Sequence, residues 1–414
     1  MTAIGAIIGL AIAIILILRR FNTAYSLILG AVIGGVAGGF ALTETITFMV
    51  EGVKDISPAI IRILAAGVLS GVLIKTGAAS RIALTIIRSL GRKKSLVALI
   101  LSVFLLTAIG VFIDVAVLTV APIAIAVGKG MDYSKMRILL AMIAGGKCGN
   151  IISPNPNTII AAENFNASLP SVMYVNIIPA VIGLAVSVLI ISVFKFEGGE
   201  RVTVSEESRD EEGLPAFWCS ILGPAVTIAM LILRPLTGIV IDPLIALPAG
   251  GLAGIIAMSR TKQLTASLSY GLEKMSSVAV LLIGTGTIAG IIKNSTLKDV
   301  IISGLDSLSL GESFVAPVAG ALMSAVTAST TAGATLASVS FAGVILAAGI
   351  PAVWGAAMIN SGATVLDHLP HGSFFHVTAG SVEMNLRERL KLIAYESLIG
   401  IVLAASSYIF AAIY

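Results

Sequence analysis

Hydrophobic runs of membrane-helix length fill this chain, and short polar interruptions divide them. Apolar stretches near 3–18, 24–42 and 56–74 each predict a helical span. A basic helical stretch follows from Lys75 to Lys94, where Arg92-Lys93-Lys94 suggests a cytoplasmic position. Ser95 to Gly128 is about 34 residues of apolar chain interrupted near Thr107 to Asp114. That is too long for one simple helix. It predicts a hairpin near 96–128 that enters and leaves on one side, or two closely joined helices. After a polar turn from Lys129 to Arg137, apolar sequence resumes and breaks at Cys148-Gly-Asn-Ile-Ile-Ser-Pro-Asn-Pro-Asn-Thr158. Another long span runs from about Val172 to Phe194.

The break organises the rest. A helix cannot pass through Pro154 and Pro156 without losing backbone hydrogen bonds. Hydrocarbon offers no replacement, so such a segment survives only inside protein or beside a watery cavity. Broken, polar helix at membrane depth is the usual mark of a transport site.

Composition agrees with this pattern. The 414 residues are 57% hydrophobic and 12% charged, against about 25% charged in soluble domains. A polytopic membrane protein of about 9 to 12 spans, partial ones included, fits that length. The 42 glycines suit closely packed membrane helices. Cys148 and Cys219 give neither a disulfide framework nor a zinc spacing. The net charge of +4 is spread through loops, so no nucleic-acid partner is expected. Met1 to Leu18 ends at Arg19-Arg20 without an obvious cleavage site and reads as a retained span. With no Walker-type loop, no His-Glu-x-x-His and no Gly-x-Ser-x-Gly, neither direct ATP use nor an enzyme is indicated, and no cofactor is expected.

Lys195 to Gly213, with seven acids and three bases, predicts a solvated linker (195–213) between two membrane halves, 1–194 and 214–414. The halves resemble each other. Gly71 to Lys75 aligns with Gly290 to Lys293 near an offset of 218, and Met142 and Pro154 align with Met358 and Pro370 at 216. The first break, near 136–162, therefore has a counterpart near 351–376, and the first hairpin one near 313–349. Internal repetition with matched interruptions is a sequence pointer to a secondary transporter's binding site.

Candidate chemistry clusters at those interruptions. Asp114 lies deep in an apolar run, where an unpaired carboxylate is costly; it is a candidate for proton coupling or cation binding. Ser329, Thr330 and Thr331 occupy the equivalent place in the second half, where hydroxyls near helix N-termini can bond a carboxylate. In the first break Asn150, Ser153, Asn155, Asn157 and Thr158 can donate to an anion or lend oxygens to a cation, or simply satisfy backbone freed by the prolines. Lys147, just before it, either attracts an anionic substrate or snorkels to an interface. All three histidines fall in Asp367-His368-Leu-Pro-His371-Gly-Ser373-Phe-Phe-His376, a reasonable proton relay and also a conceivable metal spacing. Upstream, Asn360, Ser361 and Thr364 share roughly one helix face. Glu163 reads as a vestibule or loop residue, and Arg234 and Glu396 as interface residues.

At these residues the chain resembles the gluconate:proton symporter family of the ion transporter superfamily. Phe112-Ile113-Asp114-Val115 is similar to that family's hairpin tip, Pro154-Asn155-Pro156 to its Pro-His-Pro, and His368 with Gly372-Ser373-Phe374-Phe375 to its histidine-led motif. Gly145-Gly146 through Asn157 also resembles the sodium/dicarboxylate branch. The family's first histidine is Asn155 here, and its Asn-Asp is replaced by Pro370-His371. The resemblance implies an all-α polytopic membrane protein of two inverted repeats. Each would hold a re-entrant hairpin and a broken transmembrane helix, with a scaffold, an elevator-type transport domain and usually a homodimer. It implies uptake of a small carboxylate or sugar acid such as gluconate across the cytoplasmic membrane. The expected site comprises Asn150, Ser153, Asn155, Asn157, Thr158, Ser329, Thr330, Thr331, Asn360, Ser361, Thr364, Asp367, His371 and Ser373, with Asp114 and His368 coupling to a proton. Sodium coupling, an uncoupled facilitator or channel, and a membrane-embedded metalloenzyme are the alternatives.

Overall fold

Away from water a chain this apolar must satisfy its backbone internally, and helices do so segment by segment. The computed structural model describes residues 2–194, 213–237, 239, 241–297 and 314–413, and among them there is helix but no strand. Most of the expected linker (195–212) and the first residue of the expected second hairpin (313) lie outside the described residues, as does the side chain of Arg234.

The first half runs α1 (Ala3–Leu18), α2 (Thr23–Ala37), α3 (Leu42–Lys75), α4 (Ala78–Leu90), α5 (Ser95–Ala108), α6 (Ile113–Met131), α7 (Lys135–Asn150), α8 (Pro156–Asn164), α9 (Leu169–Val175) and α10 (Ile177–Val193). In the second half come α11 (Phe217–Thr237), α12 (Pro243–Ala257), α13 (Leu264–Lys293), α14 (Val315–Thr327), α15 (Thr330–Ala347), α16 (Ala352–Gly362), α17 (Ser373–Ser381) and α18 (Leu386–Ile413).

The structure departs from the sequence reading in several places; the second span, expected to 42, ends at Ala37. The third span begins at Leu42 instead of 56, because α3 is one helix of 34 residues. Its charges Glu44, Glu51, Lys54 and Asp55 are exposed and read as a loop, yet nothing among them breaks a helix. The stretch from Val172 to Phe194 is bent by 40° between α9 and α10. Pro179 cannot donate to the α9 end, and the buried Asn176 turns its amide to the Ile151 and Ala357 carbonyls (3.3 and 3.4 Å).

Among the described residues, four helical stretches are long and apolar enough to cross a membrane: α3, Thr261–Lys293, α15 and α18. The bent α9–α10 pair makes a fifth, and six apolar helices are shorter. With 14 residues, α5 is about 21 Å long, less than the roughly 30 Å of a hydrocarbon core.

The helices form two packed bodies. In the first, α3 crosses α13 through facing glycines, among them Gly52 and Gly71 against Gly290 and Gly271; a Cβ at Gly290 would lie 1.9 Å from the Phe48 carbonyl oxygen. Here α2 packs on α13, and α12 on α3. In the second body α7 lies along α5, and α16 along α14. The helix after each break crosses over: α8 packs on α15, and α17 on α6. Both α10 and α18 close the back, against α7 and α16 respectively and against each other. The bodies touch where α3 meets α8 and where α13 meets α15, and α4 lies between them, packed on both α5 and α11.

Candidate functional site

The local sequence makes each interruption a defined shape. Asn155 caps α8, its Oδ1 accepting from the Thr158 amide (3.1 Å) and hydroxyl (2.9 Å), while Pro156 sits in the first turn where no amide hydrogen is needed. The Asn155 amide closes the loop by donating to the carbonyl and side chain of Asn150. In the second half Ser329 caps α15 by accepting from Ala332 N (3.3 Å), after Ala328 in the left-handed region (φ +44°). A Cβ on Gly372 would lie 2.4 Å from the Ala328 carbonyl oxygen, so glycine there lets the second break press against this hairpin tip.

The two breaks meet. Lys147, at the end of α7, is fully buried and points across the chain into the second break. Its ammonium donates to the Thr364 carbonyl and to Asp367 Oδ1 (2.5 Å) and faces His368 Nδ1 at 3.0 Å. Lys147 is therefore no snorkelling residue. Its three protons have three acceptors, which leaves the lone pair of His368 on Nδ1 and the proton on Nε2, beside the Ile393 carbonyl and Ser397 Oγ (both 3.1 Å). The other oxygen of Asp367 accepts from Thr330 Oγ1 at the hairpin tip (2.6 Å). A second bridge joins Asn157 Nδ2 to Asn360 Oδ1 (2.7 Å), and the Asn360 amide donates to the Ile151 carbonyl (3.2 Å) and Thr158 Oγ1 (3.1 Å).

In front of this junction lies a cavity of about 710 Å³. Of the expected site residues, Asp114, Asn150, Asn157, Ser329, Thr330, Thr331, Asp367 and Ser373 line it. The first body supplies the opposite wall through Asn22 and Thr23 at the start of α2 and Lys274, Ser276 and Ser277 on α13. Asn155, Thr158, Asn360, Ser361, Thr364 and His368 stand behind the lining and are buried. Ser361 and Thr364 bond backbone carbonyls one turn back. Ser153 is buried with an unpartnered hydroxyl, and His371 bonds the Val326 carbonyl (3.1 Å); neither lines the cavity.

Further back the charges continue. Glu396 is fully buried and held from two sides by the equally buried Arg389. The guanidinium also donates to the Phe375 carbonyl (3.3 Å) and stacks over the Phe375 ring (4.6 Å). The interface position expected for Glu396 is thus corrected: α18 turns it inward, 4.0 Å from His368 Nδ1. Glu163 ends α8 and pairs with Arg62 of α3 beside a separate cavity of about 180 Å³, away from the main one. The histidine ring nitrogens turn to different partners, His376 to the Pro370 carbonyl (2.8 Å), and no metal-ligating cluster of three occurs among the described residues.

Sequence reasoning missed the α13 wall, Lys274 with Ser276 and Ser277, although a polar Lys-Met-Ser-Ser run inside an apolar helix was its signal. It also missed the partner of Lys147. A lysine in an apolar run needs a counter-charge, but 220 residues separate it from Asp367.

Hydroxyls, amides and a few charges converge on a cavity between two helix breaks, in an all-helical chain with several membrane-length helices. That is the arrangement expected of a multi-pass membrane transporter. The chain belongs to the GntP permease family, whose sequence model matches residues 1–413. It is 48% identical to an uncharacterized transporter of Haemophilus influenzae over 98% of this chain and 97% of that one. The Gnt-II system L-idonate transporter of Escherichia coli is 26% identical over 54% of this chain and 53% of its own length. The high-affinity gluconate transporter of that organism is 23% identical over 55% and 52%. Among solved structures, the YdaH transporter of Alcanivorax borkumensis shares the fold, with a TM-score of 0.69 at 14% identity, covering 90% of this chain and 89% of that one.

Proposed function

We propose that this permease carries out proton-coupled uptake of a small sugar acid or related hydroxy acid across the cytoplasmic membrane by alternating access. The cavity between the breaks carries the reading. A polyhydroxy carboxylate needs many hydrogen-bond partners and a favourable field for one negative charge. Asn150, Asn157, Ser329, Thr330, Thr331 and Ser373 offer the former. The N-termini of α15 and α17 begin at Thr330 and Ser373, and helix N-termini favour anions. Relatives named for gluconate and L-idonate support the substrate class.

The crossed packing of the halves supports two inverted repeats, with α5–α6 and α14–α15 as re-entrant hairpins too short in their first arms to span. The body containing α3 and α13 would be the scaffold and the other the moving, elevator-type domain, in a homodimer. Asp114 at the cavity and His368 behind it are the first coupling candidates of this reading. The residues behind the lining (Asn155, Thr158, Asn360, Ser361, Thr364) hold the breaks in shape.

The test is uptake of gluconate, L-idonate, glycerate and citrate into proteoliposomes under an imposed proton or sodium gradient. Accumulation of a sugar acid that follows the proton gradient is expected. Uptake that ignores both gradients removes the coupling, and uptake driven by sodium alone replaces the ion.

A further inference from the structure

The ionisable groups around the second break balance in a way that assigns the proton a particular seat. Behind the cavity sit two cations, Lys147 and Arg389, and two carboxylates, Asp367 and Glu396, with His368 between the pairs. All five are buried, with relative exposures of 3% or less. With His368 neutral, as the donors of Lys147 require, the group has no net charge. Only Asp367 of the five lines the cavity.

Resting on the reading of a proton-coupled sugar-acid symporter, we propose that Asp367 takes up the coupling proton and that Lys147, thereby left without its counter-charge, draws the substrate carboxylate into the cavity. Asp367 stands where an incoming anion would be repelled and already uses a donor, Thr330, that such an anion needs. A proton from bulk water adds to the carboxylate, and the resulting acid releases its claim on the charge of Lys147. The buried group then carries +1, which a bound monocarboxylate returns to zero. Empty and doubly loaded states are neutral. States holding only the proton or only the substrate leave a charge uncompensated in a low-dielectric interior and are disfavoured. That difference couples the two ligands.

Asp367 is the member of this buried group that meets the cavity, so proton and substrate reach the group through it. Lys147 of α7 and His368 flank one oxygen, and Thr330 of α15 holds the other. From α18, Glu396 and Arg389 reach it only through His368. A proton arriving at His368 Nδ1 would have to face the Lys147 ammonium. Asp114 of α6 and, on the opposite wall, Lys274 of α13 also line the cavity, outside this buried group.

The experiment is calorimetry of gluconate binding to the full chain in nanodiscs, in two buffers of different ionisation heat and at several pH values. The wild type is expected to take up one proton per gluconate, its apparent affinity falling about tenfold per pH unit once Asp367 is ionised. Asp367→Asn should take up none and bind with an affinity independent of pH. Lys147→Met should lose at least tenfold in affinity at every pH. One proton still taken up by the Asp367→Asn protein, or lost instead in Asp114→Asn, overturns the assignment while leaving the symporter intact. Should the Asp367 variant not fold, the wild type decides alone: binding without proton uptake overturns the proposal. If gluconate does not bind but another sugar acid does, the same measurement is made with that acid. If no sugar acid binds, the substrate reading falls and this inference with it.

Discussion

Replacing Arg389 by methionine tests the reasoning about buried charge directly. The guanidinium is 0% exposed and makes two bonds to Glu396, one to the Phe375 carbonyl and a stacked contact with the Phe375 ring. Removing it leaves Glu396, also 0% exposed, without its arginine partner and with His368 Nδ1 4.0 Å away. Breaking one partner out of a buried ion pair costs about 3–5 kcal/mol, chiefly the price of an uncompensated charge. Glu396→Leu alone should cost a similar amount, since Arg389 would keep only the Phe375 carbonyl and ring and no counter-charge. The double variant replaces both charges by apolar groups and should lie within about 2 kcal/mol of wild type. Reversible unfolding in mixed detergent micelles, read as a double-mutant cycle, should give a coupling of at least about 3 kcal/mol. Single variants costing under about 1 kcal/mol, or a double variant costing the sum, would refute this account of the pair.

Smaller and larger effects are expected elsewhere. Arg62 bridges Glu163 and Asp242, but the three side chains are 24–38% exposed, so Arg62→Gln should lower the melting temperature by less than about 3 °C. Asn360→Ala strips the Asn157 amide of its partner and should cost about 1–3 kcal/mol by the same unfolding assay, with at least tenfold weaker gluconate binding by calorimetry. A Cβ at Gly290 would collide with backbone, so Gly290→Val should abolish a monodisperse peak in size-exclusion chromatography, whereas Gly380→Val, with open space around it, should not. A cysteine at Ser276, exposed on the cavity's far wall, should react with a membrane-impermeant maleimide added on one side only and be protected by gluconate.

Much of this architecture can be read along the chain because its main features are local. Proline lacks a donor, so the break at Pro154 and Pro156 announces itself, and Ser134 or Ser329 ahead of a helix marks its start. The hairpin turns and the match between halves follow from the same local punctuation. Partnership is not local. Nothing near Lys147 says that its counter-charge lies in the other half, or that Asn157 will meet Asn360. Exposed charges in the first turns of α3 mimic a loop, and one buried asparagine, Asn176, hides a bend inside uniformly apolar sequence. Glu396 looked peripheral because its distance from a span's start was counted without the burial that Arg389 makes tolerable.

Hydrogen exchange with and without saturating gluconate tests the central claim, that one solute is held where the two breaks and the two hairpin tips converge. Slowed exchange is expected together in segments 109–116, 148–158, 326–332 and 363–374. Protection confined to one half of the chain, or lying outside all four segments, would contradict it.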